Sequence, residues 1–265
     1  MTVAAGVAGR PIGHSLSPLI HRAWIAASGL DATYAAFEPS DEAAFAALIQ
    51  GARDGSLHGL NVTAPFKTLA LELSDDVGAV AARCGSANLL VVEDGRVRAD
   101  STDGDGLLAA LAEQAPMLRL HGTKVLMLGA GGAARAAAAA LKSAGAEVAV
   151  MNRTRERAET LADELGLTVA DAGTVGEASL VVNALSVAPD LDLAGLRPDA
   201  VLMDMTYRPL ITPFLADGQA RGLTTVDGLA MLIGQARPSF TALFGVEPPD
   251  VDVRRLALTA MGEAG

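Results

Sequence analysis

At 265 residues the chain is long enough for two domains, since single cores rarely grow beyond ~250 residues. It is 51% hydrophobic but only 3% aromatic, so its cores must be built from Ala, Val and Leu rather than large rings, a composition suited to α/β layers. A formal charge of −11 opposes polyanions at long range, which argues against nucleic acid and anionic membrane as partners.

The N-terminal stretch "MTVAAGVAGRPIGHSLSP" has no basic start, and Gly6 and Gly9 break its apolar run, so no signal peptide is expected. The longest alanine stretch, beginning at Ala136, falls far short of the ~20 apolar residues that span a bilayer. Cys84 stands alone and cannot form an internal disulfide; it reads as a small buried hydrophobe in a reducing compartment. The expected location is the cytoplasm.

From the start of the chain, "VAAGVAG", "ATYAAFEP" and "LHGLNVT" read as strands separated by helical segments, "SPLIHRAWIAASG" and "SDEAAFAALIQGARDG". This alternation argues for βαβ units. Ser17 is the expected N-cap of the first helix, with Pro18 at its first position and Gly29 just past its end. "SANLLVV" and "RVRAD" flank Asp94-Gly95 and read as a hairpin. "STDGDG" at 101–106 reads as a loop before a helix from Leu107 to Gln114.

A second series follows: "KVLML", "AEVAVMN", "LTVA", "SLVVNA", "AVLMDM" and "LTTVDG". Six short strands with crossovers predict a doubly wound sheet. The expected division is 1–106 with 229–265 as one domain and 107–228 as the other, the C-terminal helical segment returning to the first.

"VLMLGAGGAARAAAAALKSAG" places Gly129, Ala130, Gly131, Gly132 and Ala133 between a strand and a helix. In that context Gly129 makes the turn, Gly131 lets backbone approach a pyrophosphate, and Ala134 allows close helix packing. The next strand ends "VMNRTRER", without the carboxylate that receives the ribose hydroxyls of NAD. Arg153, Arg155 and Arg157 suit a 2′-phosphate instead, because guanidinium pairs with phosphate through two oriented bonds. The residues therefore predict NADP over NAD, and a solvated charge run is the alternative.

Taken singly, Lys67 in "GLNVTAPFK" reads as a surface lysine, Asp103 as a turn residue, Asn88 as a strand-edge residue and Tyr207 as a core aromatic. His14 and His21 read as local structure, with no second His or Cys at metal-ligand spacing, and no metal is expected.

Seven stretches in order, "GRPIGHSLSP", "GLNVTAPFK", "SAN", "STDGDG", "GAGGAAR", "NRT" and "VDGLAMLIGQ", resemble the shikimate dehydrogenase family across nearly the whole chain. The resemblance implies an N-terminal α/β substrate domain, a Rossmann-type NADP-binding domain, and NADPH-dependent reduction of 3-dehydroshikimate to shikimate on the route to aromatic amino acids. Lys67 then falls on the catalytic lysine and Asp103 on its partner aspartate. Ser15, Ser17, Thr63, Asn88, Asp103, Tyr207 and Gln235 fall on substrate positions. Gly129 to Ala133, Asn152, Arg153, Thr154, Arg157, Met205 and Gly228 fall on cofactor positions. As partners it implies small molecules, with a monomer or homodimer expected.

Ketone reduction needs a proton donor beside the developing alkoxide, and a lysine side chain, with an ordinary pKa of ~10.4, is protonated at neutral pH. An aspartate nearby favours that charged form. The reverse reaction needs the neutral amine, so an alkaline optimum is expected for oxidation. Closure about hinges near 106–120 and Gly228 is a further expectation.

The chain departs from the family pattern at Leu89, where a threonine is usual, at Ser101, where an asparagine is usual, and in the loop 185–190, which lacks a common Gly-Met. A quinate or quinate/shikimate dehydrogenase, often NAD-linked, is the nearest alternative, and a non-catalytic NADP-binding regulator a more distant one.

Overall fold

The computed structural model describes residues 2–171 and 173–263. In chain order they form β1 (Val3–Ala8), α1 (Ser17–Ser28), β2 (Ala32–Phe37), α2 (Glu42–Arg53), β3 (Gly59–Val62), α3 (Lys67–Glu72), β4 (Asp76–Val77), α4 (Ala79–Cys84), β5 (Leu89–Glu93), β6 (Arg96–Asp100) and α5 (Asp103–Gln114). Next come β7 (Lys124–Leu128), α6 (Gly132–Ser143), β8 (Glu147–Met151), α7 (Arg155–Leu165), β9 (Thr168–Val169), α8 (Thr174–Glu177), β10 (Leu180–Asn183), β11 (Val201–Asp204), α9 (Pro213–Ala220), β12 (Thr224–Val226), α10 (Gly228–Phe244) and α11 (Val253–Met261).

Two compact units result, one running to Thr102 and resuming at Gln235, the other Asp103–Gly234. The cuts lie a few residues from the 106/107 and 228/229 read from the sequence. One falls where α5 begins and the other inside α10, positions that no shift in composition marks.

The first unit holds a mixed sheet in the order β2-β1-β3-β5-β6-β4. β1 pairs in parallel with β2 and β3, while β5 runs antiparallel to both β3 and β6. The β5–β6 hairpin turns on Asp94 (φ 50°) and Gly95 (φ 73°), both left-handed, as a two-residue Asp-Gly turn requires. β1 and β3 are almost wholly apolar because the sheet is covered on both faces at its centre, with Phe45 and Phe66 stacked at 4.7 Å against it.

Ser17 is not the N-cap of α1. The helix begins on Ser17 itself, the N-cap is Leu16, and no side chain caps it; instead the Ser17 N–H donates to Ser15 Oγ at 3.3 Å. A preceding hydroxyl thus accepts the first N–H of the helix without being its N-cap. Gly29 ends the helix in the left-handed conformation as expected (φ 65°).

Trp24, Tyr34 and Phe240 are fully buried, and His21 lies among them, stacked on Tyr34 with centroids 4.1 Å apart. His21 is a structural residue, as its sequence context suggested. Burial lowers its pKa from 6.5 to about 3, and its Nδ1 has no hydrogen-bond partner among the described residues.

The second unit holds a six-stranded parallel sheet in the order β12-β11-β10-β7-β8-β9. Renumbered from β7, this is the 3-2-1-4-5-6 order of a doubly wound dinucleotide-binding fold. All six strands match the stretches picked from the sequence. The strands at the centre are buried on both faces and read as continuous apolar runs.

The loop expected at "STDGDG" ends early, because Asp103–Gly106 form the first turn of α5 rather than leading up to it. Two acidic residues there complement the helix dipole. Gly104 and Gly234 are demanded by packing, not by flexibility. A Cβ on Gly104 would come within 2.8 Å of Ala140 Cβ on α6, and one on Gly234 would come within 3.0 Å of the Gly106 carbonyl. Ala134 and Ala136–Ala139 are buried along α6, so small side chains set the close approach of α5 and α6.

Candidate active site

In the first unit, parallel pairing aligns the C-terminal ends of β1 and β3, so the loops that follow them leave side by side. The Thr63 N–H donates to the Ala8 carbonyl at 2.8 Å, and the Arg10 N–H to the Ala64 carbonyl at 3.0 Å. A Cβ on Gly9 would stand 2.2 Å from the Thr63 methyl, so glycine is required for the two loops to touch. Ser15 lies in the first of these loops and Ser17 at its end, buried; Thr63 and Lys67 belong to the second.

Lys67 opens α3, and its carbonyl accepts from the Ala87 N–H at 2.9 Å. The neighbouring Asn88 carbonyl accepts from the Val62 N–H at 2.8 Å. Backbone bonds therefore bring Thr63, Lys67 and Asn88 to one sheet edge with the Ser15 loop. Gln235 joins them through its Oε1, which accepts from Asn88 Nδ2 at 2.7 Å. Asp103 and Tyr207 belong to the second unit, Asp103 buried on the first turn of α5 and Tyr207 half-buried after β11.

Asn88 is itself buried, and the groups that orient it were not among the residues singled out from the sequence. Its Oδ1 accepts from the Thr102 N–H at 2.8 Å, and its Nδ2 donates to Thr102 Oγ1 at 3.0 Å. Asn61, Tyr34 and Ser239 extend the same buried set. Asn61 carried a usable signal: a polar amide in an otherwise apolar four-residue strand must find partners inside the protein. Ser239, far away on α10, carried none.

The second unit presents a different kind of site. Gly129 follows β7 with φ 113°, a conformation open to glycine, and a Cβ there would meet Leu185 at 3.2 Å. Gly131 is the N-cap of the twelve-residue α6, which has no side-chain cap, and a Cβ on Gly131 would meet nothing within 4 Å. Protein packing thus does not demand glycine at 131. Open space above uncapped helix N–H groups is what a pyrophosphate needs. On this ground Gly129, Ala130, Gly131, Gly132 and Ala133 fit a dinucleotide.

Asn152 and Thr154 shape the turn after β8, the Asn152 amide donating to the Thr154 carbonyl at 2.9 Å. The three arginines that follow are not equivalent. Arg155 is held by Glu159 at 2.8 Å, whereas Arg153 and Arg157 are exposed and their side chains make no ion pair among the described residues. Two guanidinium groups thus remain available where a 2′-phosphate would be received.

Met205 and Gly228 meet directly: a Cβ on Gly228 would lie 2.6 Å from the Met205 carbonyl oxygen. The loop carrying Met205 is held by Asp204, a buried carboxylate that accepts from the Thr206 N–H (2.9 Å), Thr212 (2.7 Å) and Asn183 (3.1 Å). Asn183 in turn accepts from the Leu185 N–H at 3.2 Å, so one carboxylate ties the loops after β10 and β11. A lone aspartate ending the apolar strand "VLMD" was the sequence signal for it. The departing loop 185–190 begins against Gly129.

Among the described residues, no helix is long and apolar enough to cross a membrane. Comparison with known proteins gives concordant matches. Residues 7–90 match the family described as shikimate dehydrogenase substrate binding domain, and residues 110–187 the family described as shikimate / quinate 5-dehydrogenase. A shikimate dehydrogenase (NADP(+)) of Caulobacter vibrioides is 49% identical, covering 98% of this chain and 96% of its own. One from Rhodospirillum rubrum is 42% identical over 96% of each. Shikimate 5-dehydrogenase of Thermus thermophilus, solved with NADP(H) and shikimate, superposes with a TM-score of 0.90 at 36% identity, covering 97% of this chain and 99% of that one. Near-complete coverage at such identity, on a fold of matching architecture, places the chain in the shikimate dehydrogenase family.

Proposed function

We propose that the protein is an NADP-dependent shikimate dehydrogenase, reducing 3-dehydroshikimate to shikimate reversibly. The observation that carries this reading is the 49% identity, over almost the full length of both chains, to a relative of that name. The open backbone at Gly131 and the two available arginines, Arg153 and Arg157, support NADP as the cofactor.

In this reading bound NADPH supplies the hydride. Gly129–Ala133 and the α6 N–H groups would hold its pyrophosphate, Asn152, Arg153, Thr154 and Arg157 would receive its 2′-phosphate end, and Met205 and Gly228 would contribute further cofactor contacts. Ser15 and Ser17 bind the substrate carboxylate. Thr63, Asn88, Tyr207 and Gln235 bind ring hydroxyls, for which short hydroxyl and amide groups provide both donors and acceptors.

Lys67 gives its proton to the carbonyl oxygen as negative charge develops there, so that the alcohol forms without a free alkoxide. Asp103 receives a substrate hydroxyl. In the oxidative direction the Lys67 side chain takes the hydroxyl proton. Residues up to Thr102 with those from Gln235 onward form the substrate-binding domain, and Asp103–Gly234 the cofactor-binding domain.

A panel of kcat/KM values for shikimate and quinate, each with NADP and NAD, tests the assignment. The expected result is a clear preference for shikimate with NADP. A preference for quinate with NAD would replace it with the quinate dehydrogenase reading, and no turnover of any pair would remove the enzyme reading altogether.

A further inference from the structure

The buried polar set around Asn88 has a defined direction, and that direction is set from α10. Ser239 is wholly buried. Its hydroxyl donates to the Gln235 carbonyl one turn earlier, at 3.0 Å, and accepts from Asn61 Nδ2 at 2.9 Å. A hydroxyl has a single hydrogen, so in the 3.0 Å contact between Ser239 Oγ and Thr102 Oγ1 it is Thr102 that donates.

Asn61 cannot turn around to reverse this, because its Oδ1 accepts from the Tyr34 hydroxyl at 2.8 Å and its Nδ2 also donates to the Asn88 carbonyl at 3.2 Å. With its own hydrogen directed at Ser239, Thr102 Oγ1 acts as the acceptor for Asn88 Nδ2 at 3.0 Å. The Thr102 N–H, at 2.8 Å from Asn88 Oδ1, fixes the Asn88 amide the same way round. Asn88 therefore approaches Gln235 as a donor, and the 2.7 Å contact assigns Gln235 Oε1 as the acceptor. Gln235 then turns its N–H₂ group away from Asn88, toward a ligand, with Oε1 already accepting one bond.

We propose that Ser239 is a positioning residue which, through Thr102 and Asn88, fixes Gln235 as a hydrogen-bond donor and so makes the site select an acceptor oxygen on the substrate at that point. The inference rests on the reading above that Gln235 contacts the substrate. It adds a polarity that the identity of Gln235 alone leaves open, since a glutamine can present either end of its amide. Deleting the Ser239 hydroxyl takes the acceptor from one Asn61 amide hydrogen and from the Thr102 hydroxyl hydrogen.

The experiment compares wild type, Ser239→Ala and Gln235→Glu as full-length proteins, measuring kcat and both KM values with shikimate and NADP, alongside thermal midpoints. Glutamate keeps an acceptor toward Asn88 and loses the outward donor. The expected outcome for Gln235→Glu is a KM for shikimate raised about 30-fold or more, with the KM for NADP unchanged. For Ser239→Ala the expected rise in the shikimate KM is about 10-fold, with kcat held within about threefold.

Wild-type KM for shikimate in Gln235→Glu would overturn the proposal. So would a Ser239→Ala protein whose kcat and both KM values change together with its thermal midpoint, the pattern of a purely structural serine. If Ser239→Ala does not fold, Ser239→Cys, of similar volume with a weaker acceptor, replaces it and must raise the shikimate KM selectively or the proposal fails. A wild type inactive on shikimate would instead refute the functional reading on which the inference rests.

Discussion

The two units build their ligand-facing regions from different materials. The first relies on side chains held by other side chains: Asn88 is oriented by Thr102, Thr102 by Ser239, and Ser239 by Asn61. The second relies on backbone: glycines at 129 and 131, an uncapped helix N-terminus, and a Gly228 pressed against the Met205 carbonyl. A backbone site specifies little beyond shape and a general anion, which suits a cofactor shared by many proteins. A side-chain network fixes where each donor and acceptor lies, which suits one particular small polar substrate.

That contrast can be broken at several points. The largest effect is expected at Lys67, the one proposed chemical group in the first unit. Lys67→Ala should lower kcat by about 10³-fold while NADPH binding, followed by its fluorescence, stays within about twofold. Loss of NADPH binding in that variant would mean that the lysine supports the cofactor instead.

In the second unit the charged side chains should act on affinity alone. Replacing Arg153 and Arg157 together with alanine is expected to raise the KM for NADP about 100-fold and leave that for NAD nearly unchanged, since each charge-assisted bond is worth ~1.5–3 kcal/mol. An equal loss for both cofactors would show that these arginines do not recognise the 2′-phosphate.

His21 offers a test of the first unit's interior. Its folded pKa of about 3 lies below the ordinary 6.5, so the unfolded chain takes up the proton first as pH falls. Its effect on stability is nil above pH ~6.5, and stability is lost progressively from there down to about pH 3. At ~1.4 kcal/mol per pH unit, the fall from pH 7 to pH 5 should cost wild type about 2 kcal/mol that His21→Asn does not lose. Urea midpoints at the two pH values measure this, and parallel losses in the two proteins would contradict the buried, uncharged imidazole.

The smallest effect is expected at Arg155, whose guanidinium is already held by Glu159 on an exposed helix face. Arg155→Ala should change the KM for NADP by no more than about threefold. A change as large as that of the Arg153 and Arg157 pair would erase the distinction between them.

Structure written in local backbone grammar is legible in the sequence alone. The strand, the glycines and the helix of "KVLMLGAGGAARAAAAALKSAG" are contiguous, and the doubly wound sheet follows from the six apolar runs. The start of α5 at "STDGDG" is not legible in this way, because Gly104 serves helix packing against Ala140, a partner distant in sequence. Nor is the start of α1, where Ser17 is the first helical residue rather than the N-cap and its N–H donates to Ser15.

By itself the sequence determined the alternation of elements, the phosphate loop, the arginines after β8 and the positions that resemble a known family's site residues. The tertiary structure alone decided that Arg155 is held by Glu159 while the Arg153 and Arg157 side chains make no ion pair among the described residues, that Asp204 ties two loops, and that Ser239 joins the network reaching Gln235. The physical reason is range: propensity and periodicity act over a few residues, whereas a buried hydrogen bond joins groups as far apart as Asn61 and Ser239, and its direction is known only when every partner is in place.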